Sequence, residues 1–187
     1  MPYAFGLRLL HWIIALCVMV LVPVGLMIEA RTEANLWDAL TNLLYGIHKA
    51  VGFSVLLLMV ARIVLRLRHS TPPYPATLTH LQIRVAKGLH FLLYGLLLVV
   101  PLLGWAGITA FPALIVFPGL DLPPMPGIPQ DQALAETLFG IHGTLALLLA
   151  ALAIGHIGAA LWHLVKRKDE VFARMGFGSS EKKHRTP

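Results

Sequence analysis

The sequence predicts an all-α protein, a four-helix transmembrane bundle with both termini in the cytoplasm. Three observations carry that expectation. Of 187 residues, 57% are apolar and 13% charged, with a mean hydropathy of +0.75, which is more apolar surface than a soluble domain of this length can hide. The 15 basic and 9 acidic residues are gathered into a few stretches. Between them lie four long runs with few charges or none, each of spanning length. A formal net charge of +6 does not point to nucleic acid, because the basic residues flank apolar runs instead of forming a stripe along a soluble face.

Residues 9–28 carry no charge and are long enough to cross a hydrocarbon layer of about 30 Å, which takes roughly 20 helical residues. They are too many for the apolar region of a signal peptide, and no small-residue cleavage pattern follows. The second run, about 44–65, has an uncharged centre from Ala50 to Ala61, with Lys49 and Arg62 expected to snorkel to the interfaces. A third begins after Lys87 and runs through Trp105 toward Phe117, with Pro101 as a kink and Pro112 as a stop. The fourth, Thr137 to Val165, holds no formal charge in 29 residues.

Four spans put both ends of the chain on one side. Thirteen of the 15 basic residues fall at the N-terminus, between spans two and three, or after span four, whereas Arg31 and Lys49 lie on the other side with most of the acidic residues. The positive-inside rule therefore places both termini in the cytoplasm and the opposite face, in a Gram-negative inner membrane, in the periplasm. Residues 112–130 contain six prolines among apolar residues and read as a lid on the outer mouth. Residues 1–175 form one membrane domain and 176–187 a polar, basic cytoplasmic tail. The basic stretch from Lys166 onward is expected to be solvated and to meet anionic headgroups.

Nine histidines equal all the acidic residues in number, and an ionisable group inside a span points to function. His142 and His156 lie 14 residues apart on the fourth span, about 40° short of four full turns and about 21 Å along the axis, so one helix offers an imidazole near each membrane surface. His48 is level with His142 on the outer side. His11 and His90 are both level with His156 on the cytoplasmic side. Paired imidazoles from facing helices are what a six-coordinate haem iron requires. A single intramembrane histidine serves equally well in an interhelical hydrogen bond, but two depth-matched pairs favour ligation. Gly46 and Gly52, Gly140 and Gly143, and Gly155 and Gly158 flank three of these histidines and leave room for a flat macrocycle. Cys17 is the sole cysteine, so any haem is b-type, and histidines split between two depths suit zinc or copper poorly. His69, His80 and His184 read as solvated. His90 and His163 remain as proton donors or acceptors for a quinone near the inner haem.

The segments RLLHW (8–12), LYGIHKAVGFSVLLLMVARIVLRL (44–67), HFLLYGLLLVVPLLGWAG (90–107) and IHGTLALLLAALAIGHIGAALWHLVKRKDEVFARM (141–175) resemble, in order and over nearly the whole chain, the bacterial cytochrome b561 family. That family is related to the cytochrome b subunits of nickel-iron hydrogenases. The resemblance implies two b haems, the outer on His48 and His142 and the inner on His11 and His156, with Gly52 and Gly143 beside them. Family members often have two adjacent histidines where this chain has His163 and Leu164. Some are quinone-linked, and a member similar in layout oxidises superoxide at the periplasmic face and reduces ubiquinone near the cytoplasmic haem. On that basis Lys49 and Arg31 are expected to attract a small anion or bind haem propionates, with snorkelling the alternative for Lys49. His90, His163, Lys87 and Trp162 are the candidates for the quinone side. The expected function is single-electron transfer between a periplasmic donor and ubiquinone. The alternatives are a haem b anchor for a separate dehydrogenase or hydrogenase and, from another class, a histidine-lined transporter or metal-binding membrane protein with no redox role.

Overall fold

The computed structural model describes residues 3–70, 72–75 and 77–176, so His184 and the rest of the tail lie outside the described residues. Four helices dominate: α1 (Phe5–Glu33), α2 (Ala39–Arg68), α3 (His80–Ala110) and α4 (Gln132–Trp162). Each is long and apolar enough to cross a membrane. Each also outruns its apolar stretch. At 1.5 Å per residue, 29 to 31 residues reach about 45 Å, the hydrocarbon core plus both headgroup layers, so the helices continue through their polar ends. Side chains cap them there. Asp38 accepts from the Thr41 amide, Asp131 from the Leu134 amide, and Thr79 forms a capping box with Gln82. Helices α1 and α3 run on through Pro23 and Pro101.

The third helix ends at Ala110, just before the expected stop at Pro112, and the apolar residues beyond it, as far as Phe117, turn back in a small hairpin. Strands β1 (Ile115–Phe117) and β2 (Leu120–Asp121) pair antiparallel through Pro118 and Gly119. Gly119 has φ of 80°, a turn position that favours glycine.

Consecutive helices pack as neighbours, α1 on α2, α2 on α3 and α3 on α4, while α4 approaches α1 sparsely. One apolar core joins Ile14 of α1 with Val55 and Met59 of α2, and a second joins Leu93, Leu96 and Val100 of α3 with Leu149 of α4. Large side chains such as Phe91 and Ile154 point outward, as expected where the solvent is lipid.

Both ends of the described chain meet at one end of the bundle. The Tyr3 amide, the Arg8 guanidinium and the Trp12 indole donate to the carbonyls of Arg174, Gly176 and Met175 at 3.2, 2.6 and 2.9 Å. The expectation of a solvated stretch from Lys166 onward holds for Lys166, Arg167 and Lys168, which are exposed, and is corrected at Arg174, Met175 and Gly176, which meet the start of α1. Helix α4 continues as a π-helical turn, His163–Arg167, and a short α5 (Glu170–Ala173) follows. Arg167 reaches the Thr77 carbonyl at 2.9 Å, and His163 Nδ1 meets the Asp169 carboxylate at 2.7 Å. Burial works against the Asp169 anion, but the hydrogen bonds from His163 and the Val171 amide outweigh it and hold its pKa below the ordinary range.

The opposite end carries the lid. Lys49 Nζ donates to the carbonyls of Ala113, at 3.1 Å, and Ile115; Trp105 Nε1 donates to Pro123 at 2.7 Å, and the Met125 amide to Thr109 Oγ1 at 3.0 Å. Val116 is buried.

Candidate functional site

The bundle sorts its intramembrane histidines into two layers. On the lid side, His48 of α2 faces His142 of α4 with ring centroids 6.0 Å apart and planes at 74°. His142 Nδ1 donates to the Val100 carbonyl at 2.9 Å, which leaves Nε2 with the free lone pair. Gly104 of α3 makes room for that ring: a Cβ there would stand 3.1 Å from His142 Cε1. His48 rests against Gly25 of α1, and its Nδ1 is buried without a hydrogen-bond partner.

On the termini side, His156 lies between two imidazoles. His11 of α1 is 6.1 Å away at 83°, and His90 of α3 is 5.2 Å away at 81°. His90 Nδ1 donates to the Ala86 carbonyl at 2.6 Å. Distance alone therefore leaves either ring able to face His156.

The glycines divide as well. A Cβ at Gly52, Gly140, Gly143, Gly155 or Gly158 would meet nothing within 4 Å, so the space beside these glycines is open. Gly46 differs: a Cβ there would come within 2.5 Å of the Val116 carbonyl and 2.6 Å of the Phe117 ring. The expectation that Gly46 clears room for a macrocycle is corrected, since the lid already fills that space.

Several side chains singled out from the sequence have other partners. Lys49 is committed to the lid carbonyls. Arg31 pairs with Asp38 at 2.6 Å; the Thr41 amide and the Arg31 guanidinium bring the Asp38 carboxyl down to about 2. His163 is held by Asp169. Lys87 lies over the Tyr74 ring at 5.7 Å, and Trp162 is exposed on the bundle surface. His69 and His80 are exposed, as expected.

Arg62 is the largest departure. Instead of snorkelling, it is 6% exposed, donating from Nε to Tyr94 Oη at 2.8 Å and from a terminal nitrogen to the Leu7 carbonyl. The sequence signal was present in a lone arginine one turn inside an apolar run, but the partners Leu7 and Tyr94 lie on other helices.

A likeness to known proteins now meets this geometry. The family described as prokaryotic cytochrome b561 matches residues 3–178. The chain belongs to the prokaryotic cytochrome b561 family. Among its relatives, Cytochrome b561 homolog 1 of Escherichia coli (strain K12) is 29% identical over 170 residues, covering 89% of this chain and 92% of that protein. The Probable superoxide oxidase CybB of Yersinia pestis is 32% identical over 133 residues, 69% of this chain and 72% of its own length. Cytochromes b561 are haem b proteins of membrane electron transfer, and the bundle described above is one of them.

The residues fit that cofactor. A porphyrin supplies four nitrogens to its iron and asks the protein for two more, one on each side. Each layer offers opposed imidazoles, with an unpartnered buried nitrogen on His48 and open space beside the glycines. A bare divalent cation would need more protein ligands in one place, and among the described residues no three His, Cys, Asp or Glu side chains gather to hold one.

Proposed function

We propose that this cytochrome holds two b haems, one on His48 and His142 near the lid and one on His11 and His156 near the termini, and passes single electrons through them to ubiquinone. The observation that carries the reading is the pair of opposed imidazoles at each of two depths, 6.0 and 6.1 Å apart by centroid, with both depths served by α4. When bound, each haem supplies a one-electron carrier. The protein orients it: the Val100 carbonyl sets the His142 tautomer, and Gly52 and Gly143 let a flat ring approach the backbone.

The excess of basic residues at the termini side supports a cytoplasmic location for both ends and a periplasmic lid in a bacterial inner membrane. The relative named as a probable superoxide oxidase supports superoxide as the donor. In that reaction two superoxide anions each lose one electron to become dioxygen, and ubiquinone takes the two electrons and two protons to become ubiquinol. Lys49, beside His48 and tied to the lid, is the cation nearest the entry side. His90, exposed and 5.2 Å from His156, is the group suited to deliver protons on the quinone side, with His163, Lys87 and Trp162 at similar depth.

Purified protein is expected to be red, to contain two haems per chain, and to lose one in His142→Ala. Stopped-flow mixing with superoxide should reduce the haems, and added ubiquinone should reoxidise them. A protein that stays colourless after haem supplementation overturns the reading. Two haems that ignore superoxide, with a stoichiometric soluble partner in the preparation, would keep the electron-transfer role and remove superoxide as donor.

A further inference from the structure

Arg62 lies in the membrane-spanning part of α2, 6% exposed, and among the described residues no carboxylate pairs with it. Burial of an uncompensated guanidinium is costly, and a fold keeps such a group where its charge has a use. Its position is defined from three helices. Leu7, whose carbonyl accepts from Arg62, stands one turn before His11 on α1, and Tyr94, whose hydroxyl accepts from Nε, stands one turn after His90 on α3. The guanidinium also lies 5.6 Å from the Tyr94 ring centroid.

The other charges nearby do not cancel it. Arg66, one turn further along α2, lies over the Tyr3 ring at 5.4 Å and adds to the positive field. Arg8 is engaged with the Gly176 carbonyl. Asp169, an acidic group packed at this end, is answered by His163 at 2.7 Å and Arg167 at 3.7 Å. On the lid side, the nearest cation, Lys49, is only half buried and spends its ammonium on the lid carbonyls, nearer to screening water.

We infer that the buried guanidinium of Arg62 makes the haem on the termini side the easier one to reduce, so that an electron arriving at the lid side moves downhill toward the termini. The inference rests on the two-haem reading above. Its physical basis is that reduction of a ferric haem removes one positive charge, so a fixed cation in a low-dielectric surround favours the ferrous state. The step moves one electron and no proton: lid-side iron passes from Fe(II) to Fe(III) as termini-side iron passes from Fe(III) to Fe(II). A propionate paired with Arg62 in the loaded protein would leave the sign unchanged, because loss of the arginine would then expose that carboxylate to the iron.

Spectroelectrochemical titration of the haem-loaded protein tests this. His142→Ala isolates the termini-side haem and His156→Ala the lid-side one; the first midpoint is expected to be the more positive. Adding Arg62→Gln to His142→Ala should move that midpoint to more negative potential, and Arg62→Lys should restore most of it. An unmoved midpoint in a haem-retaining Arg62→Gln protein overturns the inference, as does a termini-side midpoint equal to or below the lid-side one. If Arg62→Gln fails to hold haem, the order of the two single-haem midpoints and the Arg62→Lys protein still decide. A haem count other than two in the unmodified protein strikes the two-haem reading, whereas two haems with equal midpoints strike only the role of Arg62.

Discussion

The two histidine layers have the same ring spacing and opposite surroundings. The lid-side pair, His48 and His142, is closed by a proline-rich hairpin whose carbonyls hold Lys49, and its buried polar contact is a neutral bond from His142 to Val100. The termini-side set has three imidazoles, a buried arginine, and the folded-back segment to residue 176 that covers the start of α1. Spacing decides what the layers can bind, and surroundings decide how they differ once bound. A lid of backbone carbonyls leaves its cation screened at the surface, while interhelical burial leaves Arg62 unscreened.

The largest expected effect tests whether the layers are independent. His142→Ala should lose one haem and keep the other, while His156→Ala should lose the opposite one; haem counting and the split of the absorption band report it. On the termini side, His11→Ala is expected to abolish the haem and His90→Ala to retain it with slower quinone reduction, and the reverse result would move ligation to His90.

Glycine substitutions sharpen the contrast next. Gly46→Ala places a Cβ 2.5 Å from the Val116 carbonyl, so the lid must shift, at about 1–3 kcal/mol by the usual cost of overpacking, visible as a lower Tm and faster proteolysis of residues 112–130. Gly52→Ala and Gly143→Ala meet nothing in the protein, so they should leave the Tm of the haem-free chain unchanged and weaken haem retention. Lys49→Met removes the two lid bonds and is expected to cost about 1–2 kcal/mol, again with proteolysis of the lid as the measure.

The smallest effect concerns the end segment. The Asp169 pKa lies below its ordinary value, so its stabilising contribution is present above the unfolded pKa, about 3.9, and is lost as the pH falls from there through the lower folded one. Asp169→Asn should abolish that dependence, followed by protease protection of residues 166–176 as the pH is lowered from about 6 to well below the pKa of free aspartate, about 3.9.

Much of the bundle could be read along the chain because the membrane imposes a length and an apolar composition on every span, one helix at a time. The same holds for the 14-residue interval between His142 and His156, which is a property of one helix. Helix ends were less legible, since Asp38, Thr79 and Asp131 extend the helices into the headgroup layer by capping rather than by hydropathy. Arg62 was misread because an arginine near the end of an apolar run has the same sequence signature whether it snorkels or turns inward.

By itself the sequence determined four spans, the side on which its basic residues gather, and the depth of each histidine, all of which follow from local composition and helical period. Tertiary structure alone decided that the space at Gly46 belongs to the lid, that His90 stands closer to His156 than His11 does, and that Arg62 finds Leu7 and Tyr94 across the bundle. Those outcomes depend on which helix faces which. Helix rotation and neighbour choice are set by side-chain packing between segments far apart in the chain, which no local pattern encodes.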